Sequence, residues 1–253
     1  MTGTARRDVL GLEVDALTMA QAVGRCTEAV DRGDYLPVGV VNAAKMVAMR
    51  RNEQLRSAVA DCGMVLPDGQ SVVRASRLLR APLPERVAGI DLFFRLLAEA
   101  ARHSYRVYFL GAQADVLVCV LAEVHCSYPG LVVAGAHDGH FRPEEEAAVA
   151  AEIRDSGADL LFVGMTSPRK ELFISQWGQF TGVKVAHGVG GSFETLAGLT
   201  RRAPLWWQDH RPNISFLTMI TRELLRQRLP ARRTQEQATD RQPDDRSPVA
   251  SRG

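Results

Sequence analysis

Residues 106–125 read RVYFLGAQADVLVCVLAEVH, and this stretch decides the fold class. Arg106–Leu110 is short and rich in β-branched and aromatic residues, which predicts a buried strand. Gly111 and Ala112 follow as a tight connection, and Asp115–His125 is long enough to form a helix. A strand, a short turn and a helix in this order form the repeating unit of a parallel α/β sheet.

The same alternation continues on both sides of this unit. Further strands are predicted at Tyr35–Val41, Met64–Leu66, Leu131–Ala134, Asp159–Val163 and Val183–Ala186. Further helices are predicted at Ala43–Ala58, Gln70–Leu79, Ile90–Arg102, Glu144–Ser156 and Lys170–Phe180. Asp91 stands where it would cap the start of the third of these helices. Strands that alternate with helices of about ten residues or more indicate βαβ units, so we expect an α/β fold with a largely parallel sheet.

The composition is that of an ordinary soluble globular protein. The 253 residues are 46% hydrophobic and 24% charged, which provides enough apolar surface for a sizeable core. No apolar run reaches the roughly 18–20 residues that span a bilayer, and Met1–Glu13 lacks the apolar region of a signal peptide. Four cysteines follow no metal-ligand spacing: Cys26, Cys62, Cys119 and Cys126. We therefore expect a reduced, cytoplasmic chain rather than a secreted or disulfide-stapled one.

The formal net charge of +2 hides an uneven distribution along the chain. Residues 1–194 carry a net charge of −3, residues 195–233 carry +6, and the last twenty residues carry −1. We therefore divide the chain into an α/β domain at 1–204, a basic amphipathic C-terminal appendage at 205–231 and a polar tail at 232–253. The tail has little to bury, so it is predicted to be disordered.

The appendage has helical periodicity and two interpretations. Its apolar residues recur near helical spacing with arginines beside them: Ile214, Leu217, Ile220, Leu224 and Leu225, with Arg222, Arg226 and Arg228. A basic amphipathic helix can bind an anionic membrane surface, where each cation contributes about 1 kcal/mol. The same pattern suits a helix that packs on its own core or on a partner subunit. Both interpretations stay open on sequence alone.

Ligands of open α/β sheets bind beyond the carboxyl ends of the strands, so the residues that follow the predicted strands are the candidates. Asp68 follows Met64–Leu66 and precedes Gly69, and a carboxylate there can act as a general base on a hydroxyl nucleophile. Turn and N-cap aspartates have the same local pattern, so that alternative stays open. Arg86 and Arg169 are candidates for neutralising a pyrophosphate, although single arginines are more often solvated.

A glycine-rich turn, Gly188-Val189-Gly190-Gly191-Ser192, opens a helix after the last predicted strand. Its backbone N–H groups and the helix dipole can hold a phosphate, although a tight turn that needs positive φ has the same composition. Phe193 stands where a dinucleotide fingerprint requires a third glycine, which disfavours a nicotinamide dehydrogenase. His137 and His140 have no further partners at ligand spacing, so no metal site is predicted.

Several short motifs occur in a fixed order along the chain. They are Val41-Asn42-Ala43, Pro67-Asp68-Gly69, Arg86-Val87-Ala88-Gly89-Ile90-Asp91, Tyr128-Pro129-Gly130, Gly139-His140-Phe141, Gly164 to Glu171, Gly188 to Phe193, and Ala197-Gly198 with Arg202-Ala203-Pro204. As an ordered set they are specific, whereas any one of them alone is not. This set resembles the bacterial WecG/TagA/CpsF glycosyltransferase family, from about Leu10 to Arg228.

The resemblance implies a compact Rossmann-like α/β domain with helices on both faces of the sheet, in which residues 1–204 are catalytic. The implied reaction moves a sugar from a UDP-sugar to a polyprenyl-pyrophosphate-linked saccharide, with inversion and without a metal or other cofactor. Such enzymes build exopolysaccharides, capsules, teichoic acid linkage units and enterobacterial common antigen. The expected partners are the UDP-sugar, the lipid-linked acceptor and the anionic inner face of the cell membrane, which the C-terminal segment would contact. No nucleic acid is expected, and a homo-oligomer is left open.

The resemblance also assigns roles to single residues. The family's proposed base falls on Asp68, its conserved asparagine on Asn42 and its pyrophosphate-neutralising arginine on Arg86, so these three are the expected catalytic residues. The acid associated with nucleotide binding falls on Glu194. The full set expected to bind the donor is Gly111, Gly164, Lys170, Gly190, Gly191, Ser192 and Glu194.

The sequence departs from the family pattern at three single residues, and the family's Leu-Glu-Trp-x-Tyr-Arg pattern after Arg202-Ala203-Pro204 is absent. Val40 stands where a threonine is common, Lys170 replaces a glutamine, and Glu194 replaces the usual aspartate. A lysine at position 170 suits an acidic sugar or a diphosphate. An alternative function is therefore a catalytically degenerate UDP-sugar-binding or membrane-scaffold protein of the same pathway. A nucleic-acid binder is a weaker alternative, because the positive charge is confined to one segment without interleaved aromatic residues.

Overall fold

The computed structural model describes residues 5–198 and 214–228. Its strands are β1 Arg6–Asp8, β2 Glu13–Asp15, β3 Leu36–Val41, β4 Met64–Pro67, β5 Arg106–Gly111, β6 Val132–His137, β7 Leu160–Gly164 and β8 Val185–Gly188. β1 and β2 form an antiparallel hairpin, and the other six strands form one parallel sheet in the order β4-β3-β8-β7-β5-β6. The predicted α/β fold with a largely parallel sheet is confirmed. The strand order, which the alternation pattern does not determine, places β8 directly beside β3.

Helices cover both faces of this sheet, as the resemblance implies. They are α1 Met19–Arg32, α2 Ala43–Met49, α3 Glu53–Ala60, α4 Gln70–Leu78, α5 Gly89–His103, α6 Ala114–Ser127, α7 Glu146–Ser156, α8 Arg169–Trp177, α9 Ser192–Leu196 and α10 Ile214–Arg228. Residues of α1, α5, α6 and α9 pack on one face, and those of α2, α3, α4, α7, α8 and α10 pack on the other. A short 3-10 turn at Pro143–Glu145 precedes α7.

The single helix predicted at Ala43–Ala58 is wrong, because two helices occupy this stretch. α2 ends at Met49, and Asn52 adopts an extended backbone conformation before α3 begins. The Asn52 side-chain oxygen accepts a hydrogen bond from the Leu55 N–H at 2.9 Å, which caps α3. Asparagine competes with the helix backbone for hydrogen bonds in this way, so it favours a cap over a helix interior.

The predicted capping role of Asp91 is also wrong. α5 begins at Gly89, so Asp91 lies inside its first turn, where its negative charge interacts favourably with the helix dipole. The N-terminal N–H of Gly89 instead donates to the side chain of Asp68, 3.0 Å away. A residue distant in sequence therefore does what a local cap would do.

The core beneath the face covered by α5 and α9 is aromatic. Phe93 of α5 meets Phe162 of β7 edge to face with ring centroids 4.8 Å apart, and Phe193 of α9 lies 5.8 Å from Phe109 of β5. All four rings are fully buried. Close packing of this kind fixes the N-termini of α5 and α9 at the carboxyl ends of the strands.

α10 packs one face on the body of the protein. Phe216, Met219 and Ile220 are buried in the same cluster as residues of α2, α3 and α4. Three further apolar residues of α10 point to solvent, with Ile214 74%, Leu217 50% and Leu225 56% exposed. The apolar residues singled out from the sequence therefore belong to two faces: Ile220 and Leu224 face the body, and the other three face solvent. The spacing argument omitted Phe216 and Met219, which lie on the buried face.

Parts of the predicted domain division lie outside the described residues. The boundary between 204 and 205 falls in the stretch 199–213, and the tail at 232–253 follows the last described residue. Among the described helices, none is both long enough and apolar enough to cross a membrane.

Candidate functional site

The expected catalytic residues meet at the carboxyl ends of β3 and β4. The Asp68 N–H donates to the carbonyl of Val41 at 2.9 Å, so the residue after β4 is tied to the end of β3. Gly69 lies against Asn42 so closely that a Cβ at position 69 would be 3.1 Å from the Asn42 Cβ. A side chain at position 69 would therefore require Asn42 to shift by a few tenths of an ångström. The two motifs around Asn42 and Asp68 therefore form one structural unit.

Asp68 is held at both its side chain and its main chain. Its Oδ1 accepts the N–H of Gly89 at the N-terminus of α5, at 3.0 Å. Its main-chain carbonyl accepts the Nε–H of Arg86 at 2.6 Å. A helix N-terminus favours a negative charge, so this arrangement supports an ionised carboxylate in a fixed orientation with a guanidinium beside it.

Asn42 has a structural role in addition to the expected catalytic one. Its side-chain oxygen accepts the N–H of Lys45 at 2.9 Å and caps α2. That bond fixes the side chain and leaves its NH2 group as the part suited to a ligand contact. Capping explains why an asparagine fits this position regardless of chemistry.

The glycine turn after β8 is closed by its own residues. Gly190 has a positive φ of 53°, a conformation that glycine adopts without the strain that a side chain would cause. The Ser192 hydroxyl donates to the Val189 carbonyl at 2.7 Å, and the Ser192 N–H donates to the same carbonyl at 3.2 Å. Ser192 is buried, so it shapes the turn, whereas Gly191 is exposed and presents main chain to solvent.

Gly111 and Gly164 are explained by packing at the ends of β5 and β7. A Cβ on Gly111 would lie 2.5 Å from the carbonyl carbon of Gly164, and a Cβ on Gly164 would lie 2.4 Å from the Phe193 ring. Because Phe193 directly follows the glycine turn, these two glycines allow α9 and the turn to sit close to the sheet. Their expected contact with the donor stays a prediction.

Glu194 stands beside the same turn. Its Oε2 is buried and has no hydrogen-bond partner among the described residues. This oxygen lies 3.7 Å from the point where a Cβ on Gly191 would be. A buried carboxylate oxygen without a donor is costly, and a ligand hydroxyl would satisfy it.

A cluster of charged side chains from α2 and α8 lies at the carboxyl ends of the neighbouring strands β3 and β8. The ammonium groups of Lys45 and Lys170 both approach Oε1 of Glu171, at 2.8 and 3.1 Å. Burial alone would raise the pKa of Glu171, but the two lysines outweigh burial and lower it. Burial lowers the pKa of Lys170, and the charge of Lys45 lowers it further. Lys45 and Glu171 were missed from sequence, because neither directly follows a strand.

His187 is a third residue of the site that is not among the expected site residues. It is fully buried in β8, and its Nε2 lies 3.0 Å from the Gly89 carbonyl. Burial lowers the pKa of His187 to about 4, so the ring is neutral and its Nε2–H donates to that carbonyl. Val40 packs on the same glycine, since a Cβ at position 89 would be 3.3 Å from Val40 Cγ1.

Arg169 is not a free cation at this site. Its guanidinium donates to the carbonyls of Gly139 and Phe141, at 2.7 and 2.5 Å, and lies 4.3 Å from the Phe141 ring centroid. It therefore joins the loop after β6 to the start of α8, and the hypothesis that it neutralises a pyrophosphate is not supported. Within the described residues, no group of three or more His, Cys, Asp or Glu side chains is arranged to hold a metal ion.

Comparisons with known proteins relate this chain to one family. The model of the glycosyl transferase WecG/TagA/CpsF family matches residues 7–221. A protein of Bacillus spizizenii strain W23 named N-acetylglucosaminyldiphosphoundecaprenol N-acetyl-beta-D-mannosaminyltransferase is 36% identical over 154 residues, which cover 61% of this chain and 59% of that protein. A Bacillus subtilis strain 168 protein with the same name is 32% identical over 169 residues, which cover 67% of this chain and 65% of that protein. The chain thus spans about 59–65% of the length of these two relatives.

Proposed function

Because this chain belongs to the WecG/TagA/CpsF family of glycosyl transferases, we propose that it moves a sugar from a UDP-sugar to a polyprenyl-pyrophosphate-linked saccharide with inversion. The observation that carries the proposal is the placement of Asp68 at the carboxyl end of β4, with Oδ1 on the N-terminus of α5 and Arg86 beside it. The two relatives bear the name of an N-acetylmannosaminyltransferase that acts on a diphosphoundecaprenol-linked sugar. A hexosyl transfer of that kind, in exopolysaccharide, capsule or teichoic-acid-type synthesis, is the proposed reaction.

Asp68 is the proposed general base. In a single inverting displacement, the acceptor hydroxyl attacks the anomeric carbon, its proton passes to the Asp68 carboxylate, and the bond to the UDP oxygen breaks. The bond from Gly89 holds the carboxylate in one orientation, which matters because proton transfer requires hydrogen-bond contact with the hydroxyl. Asn42 lies against Gly69, the residue after Asp68, and its NH2 group is suited to orient the acceptor.

The departing UDP gains one negative charge, on the oxygen released from the anomeric carbon, and the site must stabilise it. Arg86 supplies a guanidinium beside Asp68, and the main chain at Gly190 and Gly191 supplies a turn at the end of β8. Glu194 would repel a phosphate but would accept a ribose hydroxyl, so we place the ribose near Glu194 and the diphosphate toward Lys170. This layout needs no metal or other cofactor.

The lipid-linked acceptor requires the protein to reach a membrane. We propose that the exposed face of α10, with Ile214, Leu217 and Leu225, contacts the anionic inner surface of the cell membrane. Arg222 and Arg226 are exposed on the same helix. The buried face of α10 keeps the helix on the body, so membrane contact and core packing are compatible. A peripheral location at the cytoplasmic face follows from this proposal, and a homo-oligomer is left open.

The proposed function is tested by the substitution Asp68→Asn. The asparagine keeps the size of the side chain and an oxygen for the Gly89 N–H, but it cannot take the proton. We expect transfer to fall by about 100-fold or more, with UDP-sugar binding within about threefold of the wild type. The measurement is UDP release with a short-chain polyprenyl-pyrophosphate saccharide, alongside calorimetric titration of the donor.

Two outcomes of that measurement would contradict the proposal. Transfer at near wild-type rate in Asp68→Asn would remove Asp68 as the base. Tight UDP-sugar binding without UDP release by the wild type, over a panel of N-acetylmannosamine, glucose and glucuronic acid donors, would favour the degenerate binding or scaffold protein instead. Val40 and Lys170, which depart from the family pattern, are the residues that favour this second function.

A further inference from the structure

Lysine is rare in this chain, and two of its lysines contact the same glutamate. Three of the 31 basic residues are lysines, and the other 28 are arginines. Lys45 and Lys170 both lie in the buried cluster at the carboxyl ends of β3 and β8, whereas Lys184 is partly exposed and donates to the Gly182 carbonyl. A lysine ammonium is a compact point charge, whereas an arginine guanidinium is a broad planar fork. The cluster is thus a place where a compact cation fits.

The charges within this cluster are not balanced locally. Two ammonium groups share one oxygen of Glu171, and the three side chains are only 11%, 10% and 9% exposed for Lys45, Lys170 and Glu171. Lys45 also donates to the Val40 carbonyl at 2.8 Å, which fixes its position. Two buried cations that share one carboxylate oxygen pay a desolvation cost that a further anion would offset. The lowered pKa of Lys170 agrees with this imbalance.

The Lys170 side chain runs directly beside the turn after β8. Its Cδ lies 3.0 Å from the point where a Cβ on Gly188 would be, and its Nζ lies 3.9 Å from the corresponding point on Gly190. The absence of side chains at both glycines therefore keeps the ammonium next to the main chain of the turn. Asp68 is close enough for its charge to act on Lys170, and Asp68 would lose that charge on taking a proton. The cluster then becomes more positive as the leaving group becomes anionic.

We propose that Lys170, positioned by Lys45 through Glu171, forms a site for an anionic group of the donor, either its diphosphate or a carboxylate on the transferred sugar. This inference rests on the proposed function, because it takes the ligand to be a nucleotide-sugar. It goes beyond that function by assigning Lys45 a positioning role and by naming the anionic group of the donor as the part that Lys170 binds. Glu171 holds the two ammonium groups at one oxygen, so Lys45 acts on the ligand only through Glu171 and Lys170.

The test compares ligand binding by four full-length proteins: wild type, Lys170→Gln, Lys45→Gln and the matched control Lys184→Gln. Calorimetric titration measures the dissociation constants of uridine, UDP, UDP-glucose, UDP-glucuronate and inorganic pyrophosphate, and thermal unfolding verifies that each variant is folded. We expect Lys170→Gln to weaken binding of the ligand with the recognised anion by about 10- to 100-fold. Lys45→Gln should weaken it less, and Lys184→Gln should not change it.

The ligand series separates the two sources of the anion. Equal weakening for UDP, UDP-glucose and UDP-glucuronate, without an effect on uridine, assigns the site to the diphosphate. Weakening confined to UDP-glucuronate assigns it to the sugar carboxylate. If Lys170→Gln and Lys45→Gln both fold and bind every ligand as Lys184→Gln does, the inference is overturned while the proposed function stands.

The pyrophosphate arm separates failure of this inference from failure of the proposed function. If the wild type binds pyrophosphate but no uridine nucleotide, and Lys170→Gln loses that binding, the anion site stands and the UDP-sugar donor is wrong. If the wild type binds neither pyrophosphate nor any nucleotide, the anion site is overturned as well.

Discussion

His187 acts on Asp68 through a single glycine. The ring Nε2–H donates to the Gly89 carbonyl at 3.0 Å, and the Gly89 N–H donates to Asp68 Oδ1 at the same distance. A Cβ at position 89 would be 3.3 Å from Val40 Cγ1, so Val40 would have to shift by a few tenths of an ångström to admit a side chain there. A buried neutral imidazole thus holds the carbonyl of the glycine whose N–H donates to the proposed base.

This buried imidazole predicts how stability depends on pH. In the unfolded chain His187 has a pKa near 6.5, whereas burial lowers it to about 4 in the folded protein, and the Lys45 and Lys170 charges add to that effect. Between these values the unfolded state binds a proton that the folded state does not, so stability is complete above pH 6.5 and falls as pH drops toward 4. We expect the wild type to lose about 2 kcal/mol more than His187→Gln between about pH 7.5 and about pH 5.

Urea unfolding of both proteins at the two pH values measures this difference, because all other titrating groups are common to them. His140→Gln is the matched control, since His140 is exposed and should keep the wild-type dependence. Parallel stability curves for the wild type and His187→Gln would contradict the prediction.

At the scale of elements, the edge strand β4 is closed by a residue of the N-terminal hairpin. Asp15 is 1% exposed, and its Oδ2 accepts the Val65 N–H of β4 at 2.8 Å. Its Oδ1 accepts Nη1 of Arg25 at 2.9 Å, and Arg6 lies 3.5 Å from Oδ2. The carboxylate therefore satisfies a strand edge that would otherwise expose an unpaired N–H group.

We expect Asp15→Ala to destabilise the protein by about 3 kcal/mol, because it leaves a buried N–H and a partly buried arginine without their acceptor. Asp34→Ala is the matched control, since Asp34 is exposed and should change stability by less than about 0.5 kcal/mol. Urea unfolding gives both values, and hydrogen exchange at Val65 reports the edge directly. Equal stability of the two variants would mean that Asp15 does not close this edge.

The hairpin and α1 also show which elements local patterns can predict. β1 and β2 have three residues each, too few for an alternation pattern to stand out. α1 was overlooked although Thr18 and Gln21 form a capping box, which is a sequence signal at a spacing of three. The long strand–helix units were predictable because each contains enough apolar residues for the hydrophobic periodicity of a strand or a helix to be recognised.

The residues of the candidate site also differ in whether the local sequence predicts them. Asp68 and Asn42 were predictable because each directly follows a strand, where parallel sheets gather their ligand-binding residues. Lys45, Glu171 and His187 were not, because their roles depend on β8 lying beside β3, a pairing between segments more than 140 residues apart. No local pattern carries that information.

At the scale of the whole molecule, the net charge of +2 combines a mildly acidic body with a cationic C-terminal segment and an acidic tail. α10 carries part of that positive charge on a helix whose other face is buried in the body. A helix held in this way does not need to fold upon membrane contact, so it pays little ordering entropy when it binds. Its exposed leucines and arginines are then available to a surface that holds the lipid-linked acceptor.

We therefore expect full-length protein to float with vesicles that contain anionic phosphatidylglycerol and not with neutral phosphatidylcholine vesicles. Replacing both Arg222 and Arg226 with glutamine should weaken anionic binding by about 30-fold, since each cation near the surface contributes about 1 kcal/mol. Replacing Leu217 and Leu225 with glutamine should weaken binding to a similar extent by removing apolar contact with the acyl boundary.

The matched control replaces Arg32 and Arg95, which are exposed on α1 and α5 across the sheet from α10, and should bind as the wild type does. Flotation that is unchanged in both α10 variants would assign the membrane contact to another surface. Absence of flotation by the wild type with anionic vesicles would remove the membrane contact from the proposal, because the proposed contact requires an attraction between the arginines of α10 and the anionic lipid.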